Sequence, residues 1–72
     1  NAAKSKIYMI YRRVIVFCKP EKPGDQPKAL KYRNVTHVDR LMAFIKRQGS
    51  QPLYANLYDE RRAYIGRIYQ ND

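Results

Sequence analysis

The chain is short of almost everything that reactive chemistry needs. Among its 72 residues there is one cysteine, Cys18, and one histidine, His37. A single cysteine forms no intrachain disulfide, which suits a reducing compartment. One His and one Cys do not fill a zinc site, which takes about four ligands. The three glycines are scattered, so there is no Gly-rich loop to cradle a phosphate. A nucleophile–base pair would require the fold to bring Cys18 to His37. Cys18, however, ends an apolar run, where a lone cysteine is usually a small core residue. The acids Asp59 and Glu60 run straight into Arg61 and Arg62, which reads as a solvated turn. No catalytic residue, cofactor, metal or small-molecule substrate is therefore expected. Long apolar runs are missing too. The longest, Ile7 to Cys18, is broken by Arg12 and Arg13 and falls short of the ~20 residues of a membrane span.

Acidic residues are the other shortage. Six Asp plus Glu face fifteen Lys plus Arg, a formal net charge of +9. Such an imbalance opposes compaction by self-repulsion and speeds encounters with anionic partners. Nucleic acid, acidic protein surfaces and anionic lipid all satisfy it. Hydrophobic residues make up 44% of the chain, enough for a folded domain rather than a disordered one. At this length there is one domain with a small core, burying only ~60% of the surface the unfolded chain exposes. The opening Asn-Ala-Ala-Lys, without an initiating Met, suits an excised or processed piece of a longer protein.

Residues 1–6 carry no periodic signal and read as a tail; 7–72 read as the domain. Val14 to Cys18 is β-branched and apolar on both faces, as a central strand is. Ile7 to Tyr11 reads either as a separate edge segment or as the start of that strand. Pro20, Pro23, Gly24 and Pro27 make the next stretch a loop. From Lys28 to Asn34 the pattern alternates, Leu30 and Tyr32 on one face and Ala29, Lys31 and Arg33 on the other, so a long-looped hairpin is expected. The clearest helix spans Val35 to Gln48, with Val38, Leu41, Met42 and Ile45 on one stripe and Phe44 widening it. Thr36 and Asp39 have capping-box spacing, and Gly49 suits the C′ position. Leu53, Ala55 and Leu57 then alternate with Tyr54, Asn56 and Tyr58 as a strand. Arg62 to Tyr69 reads as a further strand, or as a short strand at Ala63 to Ile65 followed by a helical turn. A hairpin, a helix across it and further strands make an α+β domain, and that order matches the β-grasp, or ubiquitin-like, mixed sheet packed on one helix.

Two groups of cations suit an anionic partner. One is Lys19, Lys22, Lys28, Lys31 and Arg33 on the first hairpin; the other is Arg40, Lys46 and Arg47 on the exposed side of the helix. The candidate binding set is Lys28, Lys31, Arg33, Arg40, Lys46 and Arg47. Seven tyrosines beside so many cations also suit a nucleic-acid partner, because bases stack on aromatic faces. Core and sheet packing accounts for most of those rings without a ligand. The RRM signature and any zinc-finger or leucine-zipper spacing are absent.

From Arg13 to about Ile65 the chain resembles a doublecortin domain. The resemblance rests on Arg-Val-Ile-Val-Phe-Cys-Lys-Pro (Arg13 to Pro20), Lys-Ala-Leu-Lys-Tyr-Arg-Asn (Lys28 to Asn34) and Val-Thr-His-Val-Asp-Arg-Leu-Met-Ala-Phe-Ile (Val35 to Ile45). Ala-Asn-Leu-Tyr-Asp (Ala55 to Asp59), followed by Ala63 to Ile65, resembles the family's strand-turn-strand, with compressed spacing and no turn glycine. The proline-rich loop is longer than the family's, and little chain is left after Tyr69 for its closing strand. The resemblance implies a ubiquitin-like fold and a microtubule-binding module, cytoplasmic and cytoskeleton-associated, whose cations meet acidic tubulin. The alternative from the residues themselves is a nucleic-acid-binding domain, ribosomal or phage-like, using the same cations with exposed tyrosines. A third reading is a protein-interaction module in a larger assembly.

Overall fold

Two hairpins joined by a helix make up the described part of the domain. The computed structural model describes residues 9–70, with β1 (Tyr11–Cys18), β2 (Lys28–Val35), α1 (Val38–Arg47), β3 (Pro52–Tyr58) and β4 (Tyr64–Tyr69). The strands form one sheet in the order β2-β1-β3-β4. The expected tail at 1–6, with Ile7 and Tyr8, lies outside the described residues.

The α+β class stands, but the β-grasp arrangement does not. A mixed sheet needs at least one parallel pair of neighbours. Here β1–β2, β1–β3 and β3–β4 are all antiparallel. Since β2 and β3 both run against β1, they run in the same direction on either side of it. The helix carries the chain back from the end of β2 to the start of β3, as a crossover between like-directed strands requires. Element order does not specify this pairing direction, so the sequence pattern fits both arrangements.

The strands form where expected. Val14, Val16 and Cys18 of the central strand are fully buried, and Ala55 and Leu57 of β3 lie beside them. Val38, Met42 and Ile45 of α1 close this core from one side, with Leu30, Tyr32, Val35 and Leu41 packed at its margin. In the loop, Pro23 and Gly24 form a tight turn. The Asp25 amide donates to the Lys22 carbonyl at 3.2 Å, and Gly24 takes φ +90°. Proline followed by a positive-φ glycine is the type II pattern.

Three local expectations are corrected. The helix begins at Val38 after His37, with no side-chain cap bond. The Thr36 hydroxyl instead sits 2.9 Å from His37 Nδ1, so the Thr36–Asp39 capping box does not form. Phe44 is 45% exposed rather than part of the buried stripe. At ~100° per residue it lies roughly 120° round the helix from Val38, too far to reach the sheet. Leu53 does not share the buried row with Ala55 and Leu57. A register shift opposes Cys18 to Pro52 just after Phe17 meets Tyr54, so Pro52 turns inward and Leu53 is left exposed.

The helix ends in a Schellman motif, with the Ser50 amide donating to the Ile45 carbonyl at 3.3 Å and the Gly49 amide to that of Lys46 at 3.1 Å. Gly49 takes φ +100°, and a Cβ there would meet nothing within 4 Å. Substitution therefore costs backbone strain without a clash. Gly49→Ala is expected to destabilise the domain by about 1–2 kcal/mol. Thermal melts read this as a drop of roughly 4–8 °C per kcal/mol, while an unchanged melt would mean the C-cap is not held as described.

Candidate functional site

With one helix on one side, the sheet has a second face that no element among the described residues covers. Its composition follows from strand alternation. Because Val14, Val16 and Cys18 point to the helix, Arg13, Ile15 and Phe17 point away from it. The cross-strand register then fixes three rows. One row reads Ala29, Phe17, Tyr54, Tyr69; the next, Lys31, Ile15, Asn56, Arg67; the third, Arg33, Arg13, Tyr58, Tyr64. Each row crosses four strands, roughly 15 Å at the usual spacing of ~4.8 Å.

A bulge completes the third row. Leu57 pairs with Gly66 but Tyr58 pairs with Tyr64, so β4 has one extra residue, Ile65. Without it, Ile65 would oppose Tyr58 and Tyr64 would fall on the helix side. Instead the Tyr58 and Tyr64 rings meet edge-on, with centroids 5.8 Å apart.

The rings form two groups. Phe17 and Tyr54 lie 5.1 Å apart, and Tyr54 and Tyr69 5.8 Å, so the first row is a continuous aromatic strip. Over it lies the Arg67 guanidinium, 4.1 Å from the Tyr54 centroid, a cation–π contact. Its Nε donates to Asn56 Oδ1 at 2.8 Å, which fixes the plane. A further bond from Nη1 to the Tyr69 hydroxyl, at 3.5 Å, together with nearby tyrosines, raises the Arg67 pKa above its ordinary value. Arg67 thus stays charged at any working pH and presents a flat, oriented cation to solvent. Tyr64 and Tyr69 are 55% and 61% exposed. None of the four strands contains an Asp or Glu.

The six cations singled out in the sequence do not form one surface. Lys31 and Arg33 lie on the open face. Lys28 shares the register row of Cys18, on the helix side, and reaches Ser50 Oγ at 3.4 Å. Arg40, Lys46 and Arg47 are exposed on α1, on the other side of the sheet. Sequence reasoning missed Arg13 and Arg67, and it treated most of the tyrosines as packing residues. Tyr11 and Tyr32 do pack against the core, whereas Tyr54, Tyr58, Tyr64 and Tyr69 line the open face. The alternation of Tyr54, Asn56 and Tyr58 against Ala55 and Leu57 carried that signal, because small and aliphatic residues fill the core row.

The two groups that suggested chemistry stay apart. Cys18 ends β1 beside Lys28 and Pro52, while His37 follows Val35, which pairs with Tyr11 at the strand's other end. The length of β1, roughly 23 Å, separates them. Burial pushes the Cys18 thiol up, and Lys28 offsets this only in part. A nucleophilic thiol needs the opposite shift. Among the described residues no three His, Cys, Asp or Glu side chains cluster as a metal site would require, and no helix is long and apolar enough to cross a membrane. In comparisons with known proteins, no family model, curated protein or solved structure matches the chain.

Proposed function

We propose that the open sheet face binds single-stranded nucleic acid. The observation that carries this reading is the joint placement of rings and cations. Phe17, Tyr54, Tyr58, Tyr64 and Tyr69 share one acid-free face with Arg13, Lys31, Arg33 and Arg67. Unpaired bases have π-faces that stack on rings and on guanidinium planes, while phosphates take the cations. A duplex hides those base faces in its own stack and meets a flat sheet only through its backbone. Four strands give room for two or three bases, about what a sheet platform of this width carries. Lys31 and Arg33 on the β2 edge would follow the phosphates as the bases lie across β1, β3 and β4.

The tubulin reading rests on short sequence segments that resemble a doublecortin domain, and the described strands do not form the mixed sheet that this resemblance implies. Its six cations also fall on two opposite sides of the domain. Matched charge reversals separate these surfaces. Lys31→Glu with Arg33→Glu is expected to lower affinity for a single strand by more than about tenfold, through two lost phosphate contacts. Arg40→Glu with Arg47→Glu makes the same change in net charge and is expected to lower it by less than about threefold. Equal losses in fluorescence anisotropy would reduce the effect to net charge alone.

The reading itself is tested by titrating the protein with one sequence as single strand and as duplex, at two salt concentrations, beside microtubule co-sedimentation. Preference for the single strand is expected, with a slope of log affinity against log salt of roughly −2 to −3 for three or four neutralised phosphates. Preference for duplex, or pelleting with microtubules in place of oligonucleotide binding, would overturn it.

A further inference from the structure

At one end of the sheet Arg12, Arg13, Arg33 and Arg62 line a cleft of about 220 Å³, and no other described residue contributes to its wall. All four lining residues are arginines, and no Asp or Glu is among the described residues of the lining. Three come from neighbouring strands, where Arg13 pairs directly with Arg33 and Arg12 precedes them in β1. The fourth comes from the turn between β3 and β4, through a backbone conformation that arginine rarely adopts.

That turn is built with care. The Asp59 carboxylate accepts from the amides of Arg61 at 2.8 Å and Ala63 at 2.9 Å, and the Arg62 amide donates to the Asp59 carbonyl at 2.9 Å. Arg62 then takes φ +67°. Hairpin turns of this type put glycine at the left-handed position because a Cβ is strained there. Local stability would be served by glycine, yet the position holds an arginine that lines the cleft. Strain of this kind, kept where charges converge, points to a ligand.

We propose that this cleft receives the terminal phosphomonoester of the nucleic-acid strand. The inference rests on the single-strand reading above. Arginine forks match phosphate oxygens in bidentate fashion. An internal phosphodiester carries one negative charge, whereas a terminal monoester carries close to two near neutral pH and exposes three free oxygens. A described lining of four arginines without an Asp or Glu suits the second better than the first. The position fits as well: Arg13 and Arg33 begin the row that continues through Tyr58 and Tyr64, so a strand end held in the cleft leads its bases onto the rings.

The test uses the full chain and one short, internally labelled oligonucleotide in three forms: unphosphorylated, 5′-phosphorylated and 3′-phosphorylated. One phosphorylated form is expected to bind at least about fivefold more tightly than the unphosphorylated form, as added charge-assisted bonds to arginine require. Arg62→Gly removes one cation while relieving backbone strain, so the variant should melt at the same temperature or higher. It is expected to lose the preference while keeping its affinity for the unphosphorylated form within about twofold. Equal binding of all three forms would overturn the terminal-phosphate assignment and leave the single-strand reading in place. A preference that survives in Arg62→Gly would overturn the cleft as its origin. Inorganic phosphate binding as tightly as the phosphorylated strand, followed by the amide signals of Arg12, Arg13 and Arg33, would make this a free-phosphate site instead. If no oligonucleotide binds in any form, the single-strand reading falls and this assignment falls with it.

Discussion

Replacing Tyr64 and Tyr69 together with alanine is expected to weaken single-strand binding by about thirtyfold or more. Stacking of a base on an aromatic side chain contributes about 1–3 kcal/mol by alanine substitution. Two rings at the lower end of that range sum to ~2 kcal/mol, and each ~1.4 kcal/mol is a factor of ten in affinity. These are the most exposed tyrosines among the described residues, so their loss should leave the fold in place. Each packs on one more deeply set ring, Tyr58 or Tyr54, and those contacts contribute about 0.5–1.5 kcal/mol at most. Binding should therefore fall far more than stability. Phenylalanine at both positions keeps the π-face and should restore most of the affinity. A double alanine variant that binds normally, with a circular dichroism spectrum like the parent's, would show that the rings take no base.

The second large effect concerns the fold. Ile45 is 2% exposed and is one of only three buried residues on α1, with Val38 and Met42. Because a single helix covers the sheet among the described residues, no other described element is available to collapse into the space that Ile45→Ala would leave. The expected loss is about 2–5 kcal/mol. A domain of this size has a total stability on the order of 4–11 kcal/mol, so this one change removes a large part of it. Chemical denaturation should show a lower midpoint with little change in slope. A loss under about 0.5 kcal/mol, as surface substitutions give, would mean that α1 does not close the core as described. The thin core also bears on function. Among the described residues only one helix covers the sheet, so one side is left open and its aromatic row is held by the strands rather than by a second layer.

Much of this was legible in the residues. Leu30 and Tyr32 against Lys31 and Arg33 gave both the strand and its two faces, since alternation maps directly onto a pleat. Gly49 and the stripe of Val38, Met42 and Ile45 located the helix. What could not be read was relative placement. Nothing in Pro52 to Tyr58 states that this strand runs against β1, and that direction separates the observed sheet from a mixed one. The two bulges were also hidden. One moved Leu53 out of the buried row, and the other brought Tyr64 onto the open face. Gly66 left the last segment between strand and helical turn, so Arg67 had no assigned neighbour. In the sheet it lies over Tyr54. The separation of Arg40 and Arg47 from Lys31 and Arg33 followed only once the helix was seen on the other side.

In the proposed reading, single-stranded nucleic acid binds the face away from the helix. Amide chemical-shift mapping with a short single-stranded oligonucleotide tests it most directly. The largest changes are expected on Phe17, Tyr54, Asn56, Arg67 and Tyr69, extending to Arg13, Lys31 and Arg33 and sparing Arg40, Met42 and Arg47. Changes centred on α1, with the open face unmoved, would contradict it.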